Sequence, residues 1–423
     1  MQSTGDESEF AVKKIRVLFH VTHLRRGGGI ESSLMSWLRI LDRQRYEVGL
    51  SIAYPGADID AVFRPWLPAD VPVTILGPQP WLSSCRTLKK EGRLGLAGLV
   101  YEELLLPQLR KLVFRKRIET LAAQYDLVID YDLSLARFAP QLRQRTGKPL
   151  VGISHFSLTQ KLSIAARDRR ERRYLARARH YQRYDRLVAI CAAMRAEAQA
   201  FFPAFADRFT TLYPGFDLEE TRRRAAGAVQ LPHTPYMVTV TRLEESQKDV
   251  QTLLRAFALM VQRHGVKLQL QIVGEGRDRP ALEHLARELG IAGQVHFTGF
   301  LANPLPLVAA AQLLVLSSKL EGLPTVLIEG LILGQVLVSS DCPTGPREIL
   351  DDGRAGLLVP PGDVEALCAA LLRALGDDGL RTRLRAAASV HGQTFGTQAF
   401  AVRFDRLVEE LLPQQAGAPS QQR

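Results

Sequence analysis

The chain has 423 residues, more than one hydrophobic core of about 250–300 residues usually organises, so two domains are expected. Its 46% hydrophobic and 23% charged content is that of a folded globular protein, and no run reaches the roughly 18 consecutive apolar residues of a membrane span. The formal charge of +11 is lopsided: up to Glu220, 34 Lys and Arg face 24 Asp and Glu, and beyond it 21 face 20, which points to an anionic partner for the first half.

Cys85, Cys191, Cys342 and Cys368 lie far apart with no C-x-x-C pair, so neither a zinc site nor a disulfide framework is expected. A reducing, cytosolic setting fits. Residues Met1 to Phe10 are polar and acidic and lack the basic-then-apolar order of a secretion signal. They are read as part of a disordered lead, 1–12, and 413–423 as a frayed tail.

In chain order, Lys14 to His20 predicts a first strand, then a glycine turn, then a helix from about Glu31 to Asp42. Strands follow at Val48–Ala53, Val71–Leu76, Leu127–Tyr131, Leu150–Ser154, Leu187–Cys191 and Phe209–Leu212. The alternation restarts at Tyr236–Thr241, then Leu268–Val273, Val295–Thr298, Leu313–Ser317 and Val336–Ser340. Strands alternating with helical patterns imply parallel sheets covered on both faces. Two such series imply two doubly wound α/β domains, joined near Tyr213 to Ala228, where Pro214-Gly215 breaks the pattern. Ligands in such folds bind beyond the carboxyl ends of the strands, and the motifs below fall there.

The first strand leads into Arg25-Arg26-Gly27-Gly28-Gly29, where glycines let backbone N–H groups approach a phosphate or a sugar. A plain tight turn reads equally well, and the string is neither G-x-G-x-x-G nor a P-loop. His20 and His23 are not spaced as H-E-x-x-H, which argues against a zinc hydrolase. His155, after the fifth strand, occupies a crevice-facing position; a lone histidine is otherwise more often structural.

Two basic stretches stand out. One runs through Arg86, Lys89, Lys90, Arg93, Arg110, Lys111, Arg115, Lys116 and Arg117, interleaved with leucines; the other, helical in pattern, runs from Arg167 to Arg183. They fit solvated helix faces, or contact with anionic lipid headgroups. Nucleic acid is the weaker reading, because basic and aromatic residues do not alternate.

In the second half, Arg242 closes a strand and Lys248 follows six residues on, a pair able to clamp a diphosphate, or part of a mixed-charge surface loop. Gly274-Glu275-Gly276 makes a turn after the next strand. His296 to Phe300 ends another, where a nucleobase can stack or bond to main chain. Asp341 to Ile349 holds Thr344, Gly345 and Glu348; Cys342 within it reads as a buried, inert thiol. Most telling is Glu321-Gly322-Leu323-Pro324-Thr325 with Glu329 eight positions after Glu321. Pro324 suits a helix start, and Pro324 to Leu333 predicts a buried helix closed by Gly334. Its free N–H groups and positive dipole end are a seat for phosphate, and carboxylates beside it can accept hydrogen bonds from sugar hydroxyls.

Taken together these strings resemble the retaining GT-B glycosyltransferases of glycosyltransferase family 4, over about Val17 to Leu412 and most densely from Tyr236 to Pro360. Asp341 to Ile349 is similar to enzymes that build lipopolysaccharide, capsule and lipid-linked oligosaccharides from UDP-sugars. The resemblance implies an acceptor-binding domain at 13–218, a nucleotide-sugar-binding domain at 219–394, and a helix at 395–412 that crosses back to the first. It implies that Glu329 holds the ribose, Glu321 the donor sugar, and Arg242 and Lys248 the diphosphate. N–H groups of Gly322, Leu323 and Thr325 and the turn at Gly28 and Gly29 stand nearby, with Gly274 and Phe300 further donor contacts. His155 matches the acceptor-domain histidine beside the reacting carbon. The chain departs from the family in two places: Asp249 replaces the glycine usual after the lysine, and Tyr213-Pro214-Gly215 replaces Asn-Gly at the hinge.

The expectation is a retaining hexosyltransferase, cytoplasmic and peripheral on the inner face of a membrane, acting on a glycan or glycolipid acceptor. No D-x-D stands at a suitable strand end, so metal independence is expected, with no cofactor beyond the nucleotide sugar and no nucleic-acid partner. Rivals are a UDP-sugar epimerase of the same architecture and a non-catalytic basic protein that binds nucleic acid or membrane.

Overall fold

The computed structural model describes residues 13–24, 29–54, 64–77, 106–157 and 178–413. Gly28, the basic positions Arg86 to Arg93 and Arg167 to Arg177, the lead 1–12 and residues 414–423 lie outside them.

Strands β1 (Ile15–Val21), β2 (Tyr46–Ile52), β3 (Val73–Ile75), β4 (Leu127–Asp130), β5 (Leu150–Ser154), β6 (Arg186–Ala189) and β7 (Phe209–Thr211) form one sheet. Its order is β3-β2-β1-β4-β5-β6-β7, every pair parallel. A second parallel sheet holds β8 (Tyr236–Val240), β9 (Gln269–Val273), β10 (Val295–Gly299), β11 (Leu313–Leu316), β12 (Leu337–Ser340) and β13 (Leu357–Val359), in the order β10-β9-β8-β11-β12-β13. The central strands are continuous apolar runs because helices cover both faces; every residue of β4 and of β11 is buried. This is the two-domain GT-B architecture anticipated above. β13 was not anticipated, since three residues between Gly356 and Pro360 are too short to show a period.

Strand order reverses between β1 and β4 in the first lobe and between β8 and β11 in the second. Loops on either side of such a reversal diverge and leave a crevice. Arg242 and Lys248 follow β8, and Glu321 follows β11, so the motif residues of the second lobe flank its crevice.

The C-terminal helix Thr397–Leu411 packs on the first lobe. Phe400 lies 4.8 Å from the Trp37 ring and Phe404 5.3 Å from Tyr46, centroid to centroid, while Arg45 donates to Asp405 and Glu409, both at 2.7 Å. The chain passes between lobes at Phe216 and again at Gly396, and the two crossings pair as a parallel bridge, Phe216 N–H donating to Phe395 O at 2.7 Å. Gly215 has to be glycine: a Cβ there would stand 2.4 Å from Ile40 and 2.5 Å from Phe400.

Candidate active site

The loop after β11 builds the centre of the site. Pro324 has extended backbone and sits just before the helix Thr325–Ile332, one residue earlier than the sequence pattern suggested for its role. Gly334, in the left-handed region at φ 65°, follows the helix end. Glu321 is 4% exposed. Its Oε1 accepts from Lys248 Nζ and from Ser318 Oγ, each at 2.6 Å, and its main-chain oxygen accepts from Thr344 Oγ1 at 2.6 Å. A buried carboxylate is tolerable because a cation and a hydroxyl meet it.

Lys248 ends the short helix Glu245–Lys248. Asp249 adopts the left-handed conformation at φ 48°, a region aspartate enters more readily than most side chains. Its carboxylate accepts from Thr252 Oγ1 and Lys319 Nζ, each at 2.8 Å. Gln247 O accepts from Lys319 N–H at 2.9 Å, tying the two loops of the crevice together. Arg242 stands apart from the Lys248–Glu321 pair: its guanidinium donates to Gln247 Oε1 at 3.0 Å and is half exposed.

Gly274 and Gly276 are steric necessities of the neighbouring loop. A Cβ on them would lie 1.9 Å from Thr241 O and 2.1 Å from Leu243 O, and Gly274 has φ 139°. Phe300, after β10, leaves 47% of its surface exposed. Glu329 is partly buried in the helix Thr325–Ile332. Burial pushes its carboxyl up to about 7, the charge of Arg224 pulling the other way. Sequence reasoning missed Arg224, which donates to Asn303 Oδ1 at 3.4 Å and lies 4.8 Å over the Trp66 ring of the first lobe. No motif marks it, because its neighbours come from three distant segments.

The two lobes meet at this loop. A Cβ on Gly322 would approach His155 O to 2.5 Å, and one on Gly29 would sit 3.5 Å from Thr325 Oγ1. Two sequence-predicted glycine turns and the predicted histidine therefore converge. The His155 ring packs 4.5 Å from Tyr131, whose hydroxyl donates to Ser33 Oγ at 2.8 Å.

In the first lobe, Asp130-Tyr131-Asp132 is a D-x-D string at the end of β4, which corrects the expectation that none stands at a strand end; it belongs to the first lobe and not to the loops after β8 and β11. The oxygens of Asp130 accept from Ser134 N–H at 3.0 Å, Leu135 N–H at 2.6 Å and Tyr184 OH at 2.5 Å, and burial raises its carboxyl to about 7. Asp132 accepts from Thr22 N–H at 2.9 Å. Burial works to raise its carboxyl, and the bonds from Thr22 and Ser134 hold it below the usual range. His20, fully buried and pushed by burial to about 4, bonds Ser51 Oγ through Nδ1 at 2.9 Å. Asp132 Oδ1 and His20 Nε2 are buried with no hydrogen-bond partner among the described residues. Cys342 is buried as expected, and burial raises its thiol to about 12, as it does that of Cys191.

The family model described as Glycosyltransferase Family 4 matches residues 27–220, and the one described as Glycosyl transferases group 1 matches residues 234–377. The chain belongs to glycosyltransferase family 4. It is 36% identical over 150 residues to LpsE of Rhizobium meliloti, a lipopolysaccharide core biosynthesis glycosyltransferase; the match covers 36% of this chain and 42% of that protein. It is 32% identical over 292 residues to a D-inositol 3-phosphate glycosyltransferase of Thermomonospora curvata, covering 63% of this chain and 66% of the relative. Among solved structures, HepE of Anabaena in complex with UDP-glucose superposes with a TM-score of 0.72 at 19% identity, over 94% of this chain and 100% of HepE. That likeness is one of fold, and it matches the two facing sheets of this family 4 member.

Proposed function

We propose that the chain is a retaining, metal-independent glycosyltransferase that moves a hexose or N-acetylhexosamine from a UDP-sugar to a glycan or glycolipid acceptor during surface polysaccharide synthesis. The observation that carries this reading is the Lys248–Glu321 pair at the mouth of the helix Thr325–Ile332, where the next residue, Gly322, closes on the main chain of His155 across the lobe boundary. Lys248 and Arg242, with the N–H groups of Leu323 and Thr325, take the diphosphate. Glu329 accepts from the ribose hydroxyls, Phe300 borders the base, and Glu321 accepts from the donor sugar. When phosphate enters, Lys248 exchanges its bond to Glu321 for one to a phosphate oxygen, and the freed carboxylate oxygen receives a sugar hydroxyl. Both groups are held in place beforehand, so little reorganisation is left for the reaction.

In the reaction, the bond from the anomeric carbon to the β-phosphate oxygen breaks, and an acceptor oxygen bonds the same carbon on the same face. The acceptor proton passes to the departing phosphate. Cations and the helix dipole neutralise the leaving group, the work a metal ion does elsewhere. The acceptor lies against the first lobe, where Asp132 and His20 present unmet polar atoms.

The helix Leu106–Ala122 supports a peripheral seat on the inner face of an anionic membrane. It exposes Leu109 and Leu112, the latter at 54%, beside Lys111 and Lys116. No described helix is long and apolar enough to cross a membrane.

The test is a thermal-shift panel of UDP- and GDP-sugars, followed by turnover with and without lipid-linked acceptor in excess EDTA. Stabilisation by UDP-sugars and acceptor-dependent release of UDP in EDTA are expected. A strict need for Mg²⁺ or Mn²⁺ removes the metal-free mechanism, and sugar isomerisation without acceptor replaces the transferase by an epimerase.

A further inference from the structure

Glu348 belongs to the second lobe, on the short helix Pro346–Ile349 that follows β12, yet its carboxylate is spent on the first. Oε2 accepts from Ala192 N–H at 2.9 Å and from Tyr213 OH at 2.6 Å, and Oε1 accepts from Ala193 N–H at 2.6 Å. Ala192 begins the first-lobe helix Ala192–Phe201. The residue before it, Cys191, offers no side-chain cap, although Ser, Thr, Asp or Asn normally fills that place. The missing cap arrives from the other lobe, 156 positions later in the chain. A carboxylate on two N–H groups at a helix start combines charge-assisted hydrogen bonds with a favourable dipole. Both are lost if the lobes part, because the helix has no substitute of its own.

The same turn reaches the donor side. Thr344 Oγ1 donates to Glu321 O at 2.6 Å. A Cβ on Gly345, at φ 82°, would meet Gly322 O at 2.3 Å. Five consecutive residues, Thr344 to Glu348, thus brace the main chain of the Glu321 loop at one end and cap a first-lobe helix at the other. Tyr213 adds the linker: it lies two residues before Gly215, and its ring receives Arg403 of the C-terminal helix at 5.1 Å.

We propose that Glu348 is an interlobe latch, a positioning residue that holds the lobes closed by capping the helix Ala192–Phe201 and thereby fixes Glu321 against His155. Donor binding and closure are then linked: whatever steadies the Glu321 loop favours the capped state, and the cap steadies the loop. The part of this that concerns the donor rests on the proposed UDP-sugar reading; the latch itself does not.

Small-angle scattering of the full chain, without ligand and with saturating UDP, tests it directly. Glu348→Ala and Glu348→Gln are expected to enlarge the ligand-free radius of gyration, with Tyr213→Phe between them and the parent chain. UDP should draw the Tyr213→Phe protein back to the parent value. Turnover should fall about 5- to 100-fold in Glu348→Ala, chiefly in kcat, with the far-ultraviolet circular dichroism of the parent. Should Glu348→Ala not fold, Tyr213→Phe and Glu348→Gln carry the same comparison. Parent-like scattering in the variants overturns the latch, whether turnover falls or not, since a loss without opening would put Glu348 inside the site. If UDP binds no form of the protein, the donor reading fails, and the ligand-free scattering still decides the latch.

Discussion

The two crevices of the molecule are built on opposite plans. Behind β8 and β11 every buried charge is met: Glu321 by Lys248 and Ser318, Asp249 by Lys319 and Thr252. The loops around them are packed so tightly that Gly274, Gly276 and Gly322 admit no Cβ. Behind β1 and β4, among the described residues, a charged residue's oxygen and a ring nitrogen are buried and left unmet, at Asp132 Oδ1 and His20 Nε2, whereas the second lobe leaves only a hydroxyl, Thr241 Oγ1, unmet beside its crevice. On the proposed reading, these rigid and compensated loops would suit a donor diphosphate, whose charge is the same whatever sugar it bears. On the same reading, the unmet atoms of the first lobe would be the ones to take hydroxyls of an acceptor. Unmet buried polar groups cost of the order of 1–3 kcal/mol each.

Breaking the compensated side gives the largest effect. Lys248→Ala is expected to lower kcat by about 10²- to 10³-fold and to destabilise the fold by about 3 kcal/mol, because Glu321 would be a buried charge without its cation; turnover and denaturant titration measure the two. Gly322→Ala, whose Cβ would press on His155 O, should cost about 10²-fold in kcat through displacement of the Glu321 loop, while stopped-flow UDP binding changes less.

On the open side, Asp132→Asn should raise the acceptor KM about tenfold, the worth of one hydrogen bond to a charged group, and leave UDP affinity as it was. Equal losses in both would erase the distinction between the crevices.

Glu329 gives a signed pH dependence. Its folded value of about 7 lies above the ordinary 4.5, so between those values the folded state holds the proton more tightly than the unfolded one. Its contribution to stability is therefore full below about pH 4.5 and falls as pH rises to about 7. Glu329→Gln escapes that loss, and its unfolding free energy should rise relative to the parent across this window, by about 1–3 kcal/mol at pH 8, while its UDP affinity drops. A constant gap from pH 4 to pH 8 would show that the carboxyl titrates normally.

Twelve of the thirteen strands were legible in the sequence, since buried parallel strands are short apolar runs punctuated by turns. So was the string from Glu321 to Glu329, whose proline and paired carboxylates are local signals. The contact of Lys248 with Glu321 could be inferred only through the family, because 73 residues separate them. Glu348 was visible as a residue and invisible as a cap, for its partners sit on the other lobe and are backbone N–H groups that no side-chain pattern encodes. Arg224 escaped for a similar reason: its surroundings, Trp66, Asn303 and Glu329, exist only once both sheets have formed.

The paired crossings at Phe216 and Gly396 give the molecule the mechanics of a book with a stitched spine. Two covers joined along one line can turn but not slide, so a few degrees of twist near the spine become ångströms of travel at the far rim. Any turning of the lobes about this line would open the rim most and the seam beside Gly215, where a side chain has no room, least.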